Sequence, residues 1–156
     1  MKTRTYFLLY GLTLLMAIFA VAHRALAALG ESVDSVESDR KALSTVPSTI
    51  TVHNGYTVER VDSDSTTVRE YVSASGVVFA VAWNGLFHPD LTQLLGSYAG
   101  EYERTLRQTP REWARRRLLV KTNQLVVEKW GHMRNLQGRA YVPALIPPGV
   151  SVDEIK

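Results

Sequence analysis

REYVSASGVVFAVAWNGLFHPDLTQLLGSY, residues 69–98, carries in one run a strand, a tight turn, a second strand and the start of a helix. Val77, Phe79, Val81 and Trp83 alternate with Val78, Ala80 and Ala82. Successive side chains of a strand point to opposite faces, so one face should be large and apolar and the other small and apolar. Such a strand is expected at the centre of a sheet, covered on both sides, with a helix lying close against its small face. Val68–Val72 mixes β-branched and aromatic residues with Arg69 and Glu70, as suits a more exposed neighbour. Ser73-Ala74-Ser75-Gly76 joins the two strands, with Gly76 free to take the positive φ that a short hairpin loop needs.

After Asn84-Gly85 the period lengthens. Leu91, Leu94, Leu95, Tyr98 and Tyr102 fall on one helical face. Asp90 stands as N-cap, with Gln93 three positions on as in a capping box. This predicts the main amphipathic helix over about 90–108. Gly96 and Gly100 share a stripe and are read as allowing close packing on the sheet.

Working outward, Thr49–His53 and Tyr56–Asp62 flank Asn54-Gly55, a strong short hairpin signal. Ser63-Asp64-Ser65 turns into Thr66–Ser73, completing a four-strand antiparallel meander. Leu118–Lys121 and Leu125–Trp130 form a second hairpin, and Gly138–Val142 a last strand. The tail, 143–156, is Pro-rich and irregular. Glu31–Leu43, acidic early and basic late, predicts a short N-terminal helix over about 32–43. The fold class is α+β, with the helices separate from a mostly antiparallel sheet.

Met1–Thr5 is a short basic start, Tyr6–Ala22 an apolar run, and Ala25-Leu26-Ala27 a small-x-small site. Residues 1–27 are therefore read as a secretory signal peptide cleaved before Ala28. That places the protein outside the cytoplasm, in the periplasm; the alternative is an inner-membrane anchor formed by residues 6–22, short for a spanning helix. Residues 28–156 are one domain's worth of chain. No cysteine is present, which excludes disulfides, thiolate metal sites and a lipid-modified N-terminal cysteine.

The precursor's basic pI belongs largely to that first segment, because Lys2, Arg4 and Arg24 are set against no acid there. The remainder holds 15 basic and 15 acidic residues, so the charge gives no nucleic-acid reading. It is nevertheless polarised, with 4 basic and 9 acidic residues over 28–90 and 11 and 6 over 91–156. Arg104, Arg107, Arg111, Arg115, Arg116 and Arg117 concentrate the positive charge. They are candidate contacts for an anionic partner, an acidic envelope protein or an anionic envelope component. The plainer reading is a solvated face that pairs with Glu101, Glu103 and Glu112.

Catalytic patterns are thin. His53, His88 and His132 have no ligand spacing on one element, and no metal or cofactor is expected. There is no nucleophile elbow. His88, Asp90, His132 and Arg134 would form a pocket only if the fold gathered them. Glu70 and Glu128 would make a carboxylate pair only if they faced each other across the sheet; otherwise both are exposed strand glutamates.

Ala28-Leu29-Gly30, REYVSASGVVFAVAW at 69–83, PDLTQLLGSY at 89–98, GHMR at 131–134 and GRAYVPALIPPGVSVDEI at 138–155 together resemble an uncharacterised family of exported bacterial proteins, domain of unknown function 2844. The resemblance covers nearly all of residues 28–156. Glu31 stands where a second small residue often follows Gly30. The lipoprotein label that some members carry does not fit a chain without cysteine, and no activity or catalytic residue is carried over. The reading is a non-enzymatic, envelope-associated binding or interaction domain; the alternative is a small periplasmic hydrolase or carbohydrate-active enzyme using the His88/His132 pocket.

Overall fold

A computed structural model describes residues 28–32, 48–110 and 116–156. The strands are β1 Ser48–His53, β2 Tyr56–Asp62, β3 Thr66–Ser73, β4 Val78–Gly85, β5 Arg117–Lys121, β6 Val126–His132 and β7 Asn135–Tyr141. Among the described residues these seven form one antiparallel sheet, in the order β1-β2-β3-β4-β7-β6-β5. The expected meander is its first half. A helical crossover carries the chain to the far edge, and β5, β6 and β7 work back until β7 meets β4. The short helix expected over about 32–43 lies outside the described residues, except Ser32, which bridges Val77.

The crossover begins where expected: Asp90 Oδ1 accepts from Thr92 N–H (2.9 Å) at the start of α1, Leu91–Leu95. Helix α2 spans Ala99–Gln108, and a 3-10 turn over Gly96–Tyr98 separates the two. Gly96 adopts φ +51°, and a Cβ there would come within 2.6 Å of the Ala28 Cβ. Its close contact is thus with the N-terminal segment and not with the sheet. Gly100 is exposed and has no close neighbour for a Cβ, so the shared glycine stripe does not form.

Val78, Val81 and Trp83 meet Leu91, Leu94, Leu95, Ala99 and Tyr102 on one face of the sheet. Leu29 is fully buried there, and its N–H donates to Leu94 O (2.9 Å) while Gly30 N–H donates to Val78 O (2.8 Å). The helices therefore cover the large side chains of β4, not the small ones. A register shift at Tyr71/Val72 is the reason the alternation breaks: it puts Phe79 on the same side as Ala80 and Ala82. That far face is covered by the C-terminal segment, whose Ile155 is fully buried against Tyr56, Tyr71 and Phe79. Tyr71 Oη accepts from Lys156 N–H (3.0 Å) and donates to Lys156 O (2.9 Å), pinning the segment in place.

The last strand starts earlier than the sequence suggests. Met133-Arg134 is a two-residue turn, with Arg134 at φ +69°, so His132 pairs with Asn135. The residues GHMR are thus the end and tip of a hairpin.

Candidate functional site

Strands β5, β6 and β7 fix the geometry of a charged part of the sheet. In register, Glu128 stands opposite Arg139 on one side and Leu119 on the other, and Trp130 stands opposite Gln137 and Arg117. All of these lie on the far face, since they alternate with Val127 and Val120 of the helix-side core.

Glu128 is buried yet fully engaged. Arg139 Nε and Nη2 both reach its Oε2 at 2.9 Å, and Arg117 Nη2 reaches Oε1 at 3.1 Å. Arg139 spends its remaining nitrogen, Nη1, on the carbonyls of Val152 (2.7 Å) and Ile155 (3.2 Å). Its guanidinium also lies 5.9 Å from the ring centroids of both Trp130 and Tyr141. A buried carboxylate survives only when paired and hydrogen-bonded, and Arg139 meets that need.

Glu70 is fully buried as well, but in register with Glu59 and Val81 on the helix-covered face. Glu70 and Glu128 therefore do not face each other, and neither is an exposed strand glutamate. What sequence reasoning missed was Arg139. The signal was present: a two-residue turn at Met133-Arg134 forces Glu128 opposite Arg139.

A cleft opens between the end of α2, the start of β5 and the end of β6. Arg107, Arg116, Arg117 and His132 line it together with Trp130 and an apolar lining of Leu106, Pro110, Leu118 and Leu119. Arg107 forms an i,i+4 pair with Glu103 at 3.6 Å, both exposed. Arg104 instead folds back onto Gly100 O (3.2 Å) and does not line the cleft. Arg111 and Arg115 lie outside the described residues.

The four residues of the other candidate site go to separate tasks. His88 Nδ1 accepts from the Trp83 indole N–H at 2.9 Å, with the two rings edge to face. Burial holds its pKa below the usual imidazole value, and Lys129 adds to the shift. Asp90 caps α1, His132 Nδ1 lies 3.3 Å from Met133 O, and Arg134 occupies the β6–β7 turn. No hydrogen bond or ion pair joins any two of these four. Register puts His132 on the far face, whereas Trp83, which holds His88, belongs to the helix-side core. Among the described residues no group of three or more His, Asp or Glu gathers in metal-binding geometry.

Fold and cleft together define a small α+β domain with a cationic groove beside its β5–β6 hairpin. The chain belongs to the family described as Protein of unknown function (DUF2844), whose family model matches residues 25–155. No curated protein and no solved structure matches it.

Proposed function

We propose that this chain is an exported binding domain of the bacterial envelope, working without catalysis, and that it engages an acidic partner through the Arg107–Arg116–Arg117 cleft. The observation that carries the reading is the convergence of three exposed arginines on one concave surface with Trp130 and four apolar side chains. Arginine and aromatic enrichment around an apolar centre is the composition of protein interfaces. Arg117 is held in place by Glu128, so part of the ordering cost of binding is met before contact. Export rests on the basic start, the apolar run and the small-x-small site of residues 1–27.

The test is a cross-linked pull-down of the tagged, exported protein from its own host, comparing wild type with Arg107→Glu/Arg116→Glu. Loss of one dominant envelope partner in the variant is expected. Equal recovery from both would overturn the assignment of the cleft. The same sample reads export, because its N-terminal peptide should begin at Ala28; persistence of residues 1–27 would indicate a tethered chain.

A further inference from the structure

The far face holds a second concavity, inward of the hairpin, that the arginine cleft does not account for. Asn84, Gln137 and Trp130 stand side by side in register across β4, β7 and β6, with Arg69 diagonal to Asn84 on β3. The C-terminal segment covers the neighbouring part of this face with Ile155, and Lys156 stands at the rim of this row. The lining of the hollow includes Arg69, Asn84, Trp130, Asn135, Gln137 and Lys156, beside Trp83 and Gly138, and its volume is about 220 Å³.

The hydrogen bonds within this set run in one direction. Arg69 Nη1 donates to Asn84 Oδ1 (2.8 Å), and the Trp130 indole donates to Gln137 Oε1 (3.1 Å). Gln137 Nε2 then donates to Asn135 Oδ1 (3.0 Å). Guanidinium and indole nitrogens can only donate, so the orientations of Asn84 and Gln137 are forced, and Asn135 follows from Gln137. Each of the three amide oxygens thereby accepts one of these bonds. The side-chain donors that these bonds do not use are Asn84 Nδ2, Asn135 Nδ2, the other N–H groups of Arg69, and the Lys156 ammonium.

No acidic side chain lines the hollow. Glu128, on the adjoining rows, is held by Arg139 and Arg117. Asp62, on the far side of Arg69, is held by Arg60 (2.9 Å) and Thr67 (2.6 Å). Arg69 forms no ion pair among the described residues.

We propose that this hollow binds a small oxyanion, the carboxylate or phosphate group of a ligand. Arg69, Lys156 and two amide N–H₂ groups line it, and each lining amide oxygen already accepts a hydrogen bond. Its volume is below the roughly 300–1,000 Å³ of sites that enclose a whole drug-sized molecule. The site therefore takes a headgroup or a small acid, not a large ligand. The inference rests on no part of the cleft reading, and Trp130 is the wall that the two concavities share.

The Trp130 indole N–H is a direct reporter, since it starts the relay. The mature chain is titrated with acetate, inorganic phosphate or sulfate at constant ionic strength set by chloride, and the indole resonance is followed by NMR. A saturable shift at millimolar concentration is expected with an oxyanion and not with chloride or glucose. A tighter response to acetate assigns a carboxylate ligand, and a tighter response to phosphate or sulfate a tetrahedral one. Asn84→Asp should keep the Arg69 contact and the fold while weakening binding at least tenfold; Lys156→Ala should weaken it less. The proposal is overturned if no oxyanion gives a saturable shift, if chloride gives the same one, or if Asn84→Asp binds as wild type does. The Arg107→Glu/Arg116→Glu variant should retain this binding, which separates a failure here from a failure of the cleft.

Discussion

The two faces of the sheet meet the same problem differently. On the helix-covered face, β4 presents Val78, Val81 and Trp83 to leucines of α1 and to Leu29, and burial is nearly complete. On the far face, β4 presents Phe79, Ala80, Ala82 and Asn84; Tyr56, Tyr71 and Ile155 pack against Phe79, and beyond them stand Arg69, Glu128, Trp130, Gln137 and Arg139. A short tail covers only part of that surface. The first face is held mainly by apolar area, which is non-directional and tolerant of detail, although Glu59 and Glu70 are buried on it too. The second adds to a smaller apolar cluster a set of directed contacts, in which each donor has a particular acceptor. A face built that way can leave chosen donors open to solvent, and the cleft and the hollow open on or beside it.

The sharpest way to break this contrast is Arg139→Met. It leaves Glu128 buried with only the exposed Arg117 as partner, and should cost about 3–5 kcal/mol in urea unfolding. Adding Glu128→Leu should recover most of that loss, because the penalty lies in the uncompensated charge. A double variant as unstable as the single one would show that Arg139 acts mainly through the tail carbonyls and the flanking rings. On the other face the matching change is Leu29→Ala, expected to cost about 2–5 kcal/mol with no partner substitution able to restore it. Gly138→Ala should cost about 1–3 kcal/mol, since a Cβ there would lie 2.2 Å from the Trp83 ring.

The pH response sharpens the contrast further. Burial depresses the His88 pKa below 6.5, so protonation is harder in the folded than in the unfolded chain. The stabilisation from the neutral ring is therefore present above about pH 6.5 and is lost as pH falls through the depressed value. Protonation also turns Nδ1 from an acceptor of the Trp83 indole into a donor. His88→Asn keeps an acceptor and removes the titration, so its stability should fall less steeply between pH 7 and 5 than that of wild type. Parallel curves would remove His88 from the account. The smallest stability effect is expected from Arg107→Glu/Arg116→Glu, within about 0.5 kcal/mol of wild type, as for exposed surface positions.

Local pattern carried much of the fold. Alternation in 77–83, the Asn54-Gly55 turn and the Asp90 cap each act over a few residues, and each stands where the sequence puts it. The layers were harder to read. Which face of β4 the helices cover depends on the register shift opposite Tyr71, and that shift moves Phe79 to the other side. The candidate site was legible only as a density of arginine between 104 and 117. Sequence spacing could not tell Arg107, Arg116 and Arg117, which line the cleft, from Arg104, which bonds to its own helix. The oxyanion hollow was invisible in the sequence, because Arg69, Asn84 and Gln137 come together only through the β4–β7 pairing across more than fifty residues. Polar residues alternating in a strand read as solvated, and it takes the register set by the Met133-Arg134 turn to show that Glu128 and Arg139 satisfy each other.

The most direct test of the cleft as the working surface is site-specific photo-crosslinking in the living host. A photoreactive side chain is placed at Leu119, inside the cleft, and in a parallel protein at Ile50 on the opposite edge strand; both positions are exposed. A single strong adduct from Leu119, lost with Arg107→Glu/Arg116→Glu and absent from Ile50, is the predicted result. An adduct of equal strength from Ile50, or one from Leu119 that survives the charge reversal, would contradict it.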